Sequence, residues 1–246
     1  MKQPIFLFLF TMATNSLEAQ TIPVFPVKKS EPVKAKPAIA NRRNSNSHAL
    51  DSQYKNETLF FIDNSHITAG EFLDAYYRNK EQNDSGNQIK NYLNLYIIFK
   101  LKIYYGTQNK LDTVSSLKEE GEYYKKTIVD DYNSKTARPK ISVNDLLLPP
   151  EIAADLKRFN EGNLLFYLMS TKVWDLAKDE TGLNAYYNNN KTAYQDKDYN
   201  SIKETVMADY TIYLENEWLK GLRAKYSIHL NENTWEKVLK DQGKIY

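Results

Sequence analysis

Between Tyr92 and Tyr105, eleven of fourteen positions are apolar or tyrosine. A helix that is apolar nearly all round has little to show to water and belongs at the centre of a bundle. Lys100 and Lys102 interrupt the run. That argues against a membrane span, which needs about 18 or more apolar residues in succession. The surrounding pattern therefore has to supply helices that wrap this one, a helix expected over about Gln88 to Tyr105.

Upstream, Leu59-Phe60-Phe61-Ile62 has the aromatic and β-branched content of a buried strand. Asp63-Asn64-Ser65 is a turn signal, and His66-Ile67 can start a return strand. Thr68 and Glu71 have the spacing of a capping box, in which the hydroxyl takes an orphan helix N–H and the carboxylate reaches back. A first helix to about Lys80 follows, with Phe72, Ala75 and Tyr76 on one face. Ser85-Gly86-Asn87 punctuates. A third helix is expected from an N-cap at Asp112 to about Tyr132, with Gly121 as its weak point.

Arg138-Pro139 and Pro149-Pro150 exclude a continuous helix across the join from Asn133 to Asn160. Ile141-Ser142-Val143 suggests a short extended piece. Leu146-Leu147-Leu148 is expected to dock on the body or begin a short helix. From Glu161 the helical pattern resumes, with Leu164, Leu165, Leu168, Val173 and Leu176 forming a wide apolar stripe beside Phe166, Met169 and Trp174. Asp179 is placed to cap the next helix. The longest helix is expected over about Ile202 to Tyr226, with Val206, Tyr210, Tyr213, Leu214, Trp218 and Leu222 at three- and four-residue steps. Ser227 to Leu230 then resembles a strand, and Asn231 or Asn233 caps a last helix holding Trp235 and Leu239. Two short strand regions at opposite ends are each marginal alone. Pairing them would close the body.

At the N-terminus, Lys2, the apolar run Ile5 to Ala13 and Leu17-Glu18-Ala19 read as a cleavable export signal over residues 1–19. Residues 20–56 hold four prolines, Pro23, Pro26, Pro32 and Pro37, and the run Asn41 to His48. They are expected to be a disordered, Pro/Lys/Asn-rich linker. A basic tether to an anionic surface is the less favoured reading of Lys28, Lys29, Lys34, Lys36, Arg42 and Arg43. Residues 57–246 are expected to form a single helical domain.

There are no cysteines and the formal net charge is +2. A disulfide framework and a thiolate zinc site are excluded, and nothing points to nucleic acid. His48, His66 and His229 lack metal-ligand spacing, and the last two fall in expected strands. Only eight glycines occur, with no phosphate-cradling loop. Carboxylate pairs such as Glu119-Glu120 and Asp130-Asp131 suit solvated helix faces. Neither a catalytic site nor a cofactor or metal site is expected. Nineteen tyrosines are the compositional oddity. Their rings bury while their tips stay wet, which suits both packing and adaptable contact.

Two blocks carry a resemblance. One is Ile67, Glu71-Phe72, Tyr76 and the helix with Phe99-Lys100-Leu101-Lys102. The other is Glu161 to Phe166, Val173-Trp174, Gly182-Leu183, Tyr186-Tyr187, Leu214-Glu215, Glu217-Trp218, Leu222-Arg223 and Lys225-Tyr226. In this order they resemble the SurA-type and PpiC-type periplasmic chaperones of Bacteroidetes-like bacteria. In that family the chaperone domain is built from N-terminal helices plus a returning C-terminal segment. The parvulin isomerase module, a domain of roughly 90–100 residues, has no room in the connector at 133–160.

The resemblance thus implies a mostly α, SurA-like helical chaperone domain with a small β-hairpin and a returning strand, and no prolyl isomerase activity. It also implies a periplasmic, ATP-independent holdase or escort for unfolded envelope proteins, outer-membrane proteins among them. The alternative is a non-catalytic scaffold or accessory subunit of an envelope secretion or assembly machine, with one dedicated partner. Candidate client- or partner-binding residues are Tyr96, Phe99, Tyr104, Phe166, Met169 and Trp174. For most of them plain core packing is the stronger expectation.

Overall fold

The computed structural model describes residues 54–79, 88–135 and 139–243, with side chains to residue 241. The leader at 1–19, nearly all of the linker at 20–56, His48 and the Ser85–Asn87 punctuation lie outside the described residues. Among the described residues the chain is mostly helical, with one small antiparallel sheet.

Strand β1 (Thr58–Ile62) lies between β2 (Ser65–Thr68) and β3 (Ile228–Leu230). Phe60, Phe61 and Ile62 of β1 sit opposite Leu230, His229 and Ile228. The two ends of the sequence therefore share one sheet, in the pairing expected from their patterns. Asp63 forms the hairpin turn at a φ of 47°. Its side chain accepts a hydrogen bond from the Ser227 amide at 2.8 Å, and its own amide donates to the Ser227 carbonyl at 2.9 Å. The turn is thus tied to the residue that opens β3.

Helix α1 (Ala69–Asn79) begins at the expected capping box. The Glu71 amide donates to the Thr68 hydroxyl, and the Thr68 amide donates to the Glu71 carboxylate. Helix α2 (Gln88–Gln108) is the central one and buries Ile89, Tyr92, Leu93, Tyr96, Leu101 and Ile103. A 3-10 turn at Leu111–Thr113 precedes α3 (Ser115–Lys135), so Asp112 lies in that turn and is not the helix cap. Gly121 is buried where α3 crosses its neighbour; a Cβ there would meet Asn160 Oδ1 at 2.8 Å. Its role is close approach as well as helix weakness. Tyr124 and Phe159 stack beside it with centroids 3.9 Å apart.

The join differs most from expectation. Helix α4 (Pro150–Met169) starts at the second proline of Pro149-Pro150, eleven residues before Glu161. Proline fits a first helical turn because its missing N–H would have had no partner there. Ile141 is not in a strand; Asn133 holds it by donating to its carbonyl at 2.8 Å and accepting from its amide at 2.9 Å. Leu146 and Leu147 do not dock: they are 101% and 89% exposed.

Past Met169 the same helix continues through a π-helical turn, Ser170–Trp174, into a last α-turn, Asp175–Ala177. Helix α5 (Glu180–Asn189) is capped by Asp179, whose side chain accepts from the Gly182 amide. A 3-10 turn at Lys191–Tyr194 leads to the 27-residue α6 (Tyr199–Lys225). After β3 comes α7 (Glu232–Gly243), where Asn231 accepts from the Thr234 amide.

The main core joins the sheet to α1, α2, the end of α6 and α7 through residues such as Phe60, Phe72, Tyr96, Leu222 and Trp235. A second cluster, Ile103, Leu164 and Leu168, welds α2 to α4. A third, Leu183, Tyr187, Tyr194 and Val206, forms a small lobe from α5 and the start of α6. Among the described residues no helix is long and apolar enough to cross a membrane.

Candidate binding surface

The joint between the two blocks is built on the lysines that interrupt the central helix. Lys100 Nζ lies 2.7 and 2.8 Å from the two carboxylate oxygens of Glu161 on α4. It also lies 5.5 Å from the ring centroids of Tyr96 and Phe99. Lys102 Nζ lies 2.5 Å from Glu215 Oε1 on α6, 3.3 Å from Met169 Sδ and 5.4 Å from the Trp218 ring. Both lysines are buried. An ammonium taken out of water needs an opposite charge, so each lysine commits α2 to one carboxylate of the C-terminal block. At the outer edge Lys157 pairs with Glu71, and Arg158 with Asp74 and Asp155. Burial pushes the Glu71 carboxyl up, but Lys157, Lys100 and the Thr68 amide together hold it below the usual carboxylate range.

Beyond this joint the π-helical turn shapes the surface. Residues eight apart on an α-helix are rotated by about 80° from one another, while those seven apart nearly coincide. The wider turn at Ser170–Trp174 takes up one extra residue. Trp174 therefore falls over Phe166, with ring centroids 5.3 Å apart and planes at 67°. Phe166 is 39% exposed and Trp174 half-buried.

The six candidates thus separate. Tyr96 is closed inside the main core, edge-on to Phe60 and Phe72. Burial, with the Glu71 and Glu161 carboxylates, pushes its phenol well above the ordinary tyrosine range. Met169 is buried against Lys102. Phe99 is half-buried beside Lys100, and Tyr104 packs edge-on to Tyr226 at 5.1 Å while donating to Asp63. Only Phe166 and Trp174 come together as an outward pair.

Two further open positions stood on stripes expected to be buried. Leu176 is 48% and Tyr213 47% exposed. Leu176 lies just past the π-helical turn, in a last α-turn that buries Ala177. Tyr213 lies on α6 between the main core and the small lobe, where its contacts are Tyr186 and Tyr210. An unusual turn of this kind leaves no periodic mark. Ile212 beside Tyr213 is 49% exposed and was not singled out by its spacing.

A shallow depression runs along Asn200 to Met207 and is lined by that helical turn alone, so it brings no groups together from separate elements. Among the described residues no three His, Asp or Glu side chains are grouped to hold a metal ion. The arrangement offers aromatic and aliphatic contact, with charge pairs stiffening the helices beneath it. Compared with protein-family models, with curated proteins and with solved structures, the chain matches none.

Proposed function

We propose that this chain is a non-catalytic, ATP-independent holding protein of the periplasm that covers apolar segments of unfolded envelope proteins. The observation that carries the reading is the outward pair of Phe166 and Trp174, aligned by a π-helical turn and followed by the half-open Leu176. Rings on a stiff helix give contact area at small entropic cost. A few loose apolar contacts suit varied clients better than a deep, shaped pocket. The resemblance to SurA-type chaperones supports the same reading. Unpaired outer-membrane strands, which alternate apolar and polar residues, are clients of the right chemistry.

The test is light scattering of a denatured outer-membrane β-barrel protein diluted into buffer with this chain. The wild type suppresses scattering at equimolar amounts. The Phe166→Ser/Trp174→Ser double variant, with unchanged helical circular dichroism, loses at least threefold of that effect. A wild type that leaves scattering unchanged even in excess overturns the proposal.

The second reading, an accessory subunit of an envelope assembly machine, draws on Leu146 and Leu147. They stand open on a loop clasped by Asn133, as an anchor for one partner would. One stoichiometric companion in a periplasmic pull-down, lost on Leu146→Ser/Leu147→Ser, favours it.

A further inference from the structure

Asp209, Tyr213 and Glu217 follow one another at four-residue steps along α6, and residues four apart on a helix are surface neighbours. Tyr213 closes a triangle of rings with Tyr186 at 5.3 Å and Tyr210 at 6.2 Å; Tyr186 and Tyr210 are 5.0 Å apart. About half of Tyr213 and of its neighbour Ile212 is open. Asp209 accepts from Tyr194 at 2.9 Å and Glu217 lies 3.6 Å from Lys220 Nζ, each with carboxylate lone pairs left over, so this tyrosine face with a carboxylate on either side suits a cationic side chain. The ring attracts an ammonium or guanidinium group, and the carboxylates complete its hydrogen bonds.

The surrounding stretch, residues 179–220, carries eight carboxylates against four lysines, with Glu180, Glu215 and Glu217 paired to Lys203, Lys102 and Lys220. The balance is opposite in residues 20–53, where six Lys and Arg side chains face two acids. We propose that this basic, proline-bearing N-terminal segment is the ligand of the tyrosine face, folding back over α6 of its own chain.

The span fits. Tyr213 precedes Tyr226 by thirteen residues, about 20 Å along a helix. Tyr226 belongs to the same core cluster as Tyr54, where the described chain begins. Lys36 precedes Tyr54 by eighteen residues, a length that reaches at most about 60 Å. A tether long enough to bridge the gap makes the contact intramolecular, which raises its effective concentration, so individually weak contacts stay occupied. Clients bearing Lys or Arg would compete for the same face. The contact itself does not depend on the holding activity.

The absence of cysteine makes the test clean. Ser30→Cys carries a single nitroxide in the exported form, Gln20 to Tyr246, and backbone amide signals are read by NMR. Amides of residues 209–217 are expected to broaden at least threefold more than those of α3. Asp209→Asn/Glu217→Gln, or salt raised to about 0.5 M, which shortens the screening length, abolishes the difference. Equal broadening of α3 and α6, or none on α6, overturns the proposal. So does broadening that arises only between a labelled chain and a separate isotope-enriched one, since the segment would then belong to a second copy.

Discussion

The sheet end and the tyrosine lobe are held by different means. Among the described residues the main core encloses nineteen buried apolar or tyrosine side chains, with Leu59, Phe60, Ile62 and Phe72 at 0% exposure. The lobe encloses four. The lobe adds polar stitches: Tyr187 donates to the Lys197 carbonyl at 2.5 Å, Tyr194 to Asp209 at 2.9 Å and Tyr199 to Glu180 at 3.2 Å. A net hydrogen bond is worth about 1 kcal/mol. A buried large side chain contributes about 1.5–3 kcal/mol by leaving water. The sheet end is therefore the stable anchor, and the lobe opens at lower free energy.

The largest expected effect separates the two regions directly. Phe72→Ala empties the centre of the main core and is expected to lower global stability by about 3–5 kcal/mol, measured by urea unfolding. A comparable loss from Asp179→Ala, which removes only the lobe's helix cap, would show that both regions unfold as one; the expected cost is about 1 kcal/mol. A smaller effect probes the weld between α2 and α4. At Gly106 an added Cβ would meet Leu164 side-chain carbons at 2.9–3.1 Å. Gly106→Ala is expected to cost about 1–3 kcal/mol by overpacking. Gly221, where a Cβ meets nothing within 4 Å, gives the opposite sign: Ala there gains about 0.5–1 kcal/mol.

Much of the anchor was legible from residue patterns. The Thr68–Glu71 capping box, the Asp63-Asn64 turn, the Asn231 cap and the β1–β3 pairing all rest on local chemistry that spacing displays, as does the Asp179 cap in the lobe. The central helix was legible because its apolar character leaves no other place for it. The start of α4 was not. Ile152, Leu156 and Phe159 do follow four- and three-residue steps, but Pro149-Pro150 stood as a helix breaker, whereas Pro150 opens the helix. The surface was legible in part. Phe166 and Trp174 stood among six aromatic or apolar candidates, but their alignment depends on a π-helical turn with no period of its own. Leu146 and Leu147 misled in the opposite direction, because an apolar run ordinarily means burial and here both stand in solvent.

The account depends on the two distant sequence blocks sharing one cooperative sheet. Amide hydrogen exchange tests this most directly. Amides of β1 and β3 are predicted to exchange at one common free energy, the highest in the chain, with α5 exchanging earlier. Exchange of β3 together with α5, well before β1, would contradict it.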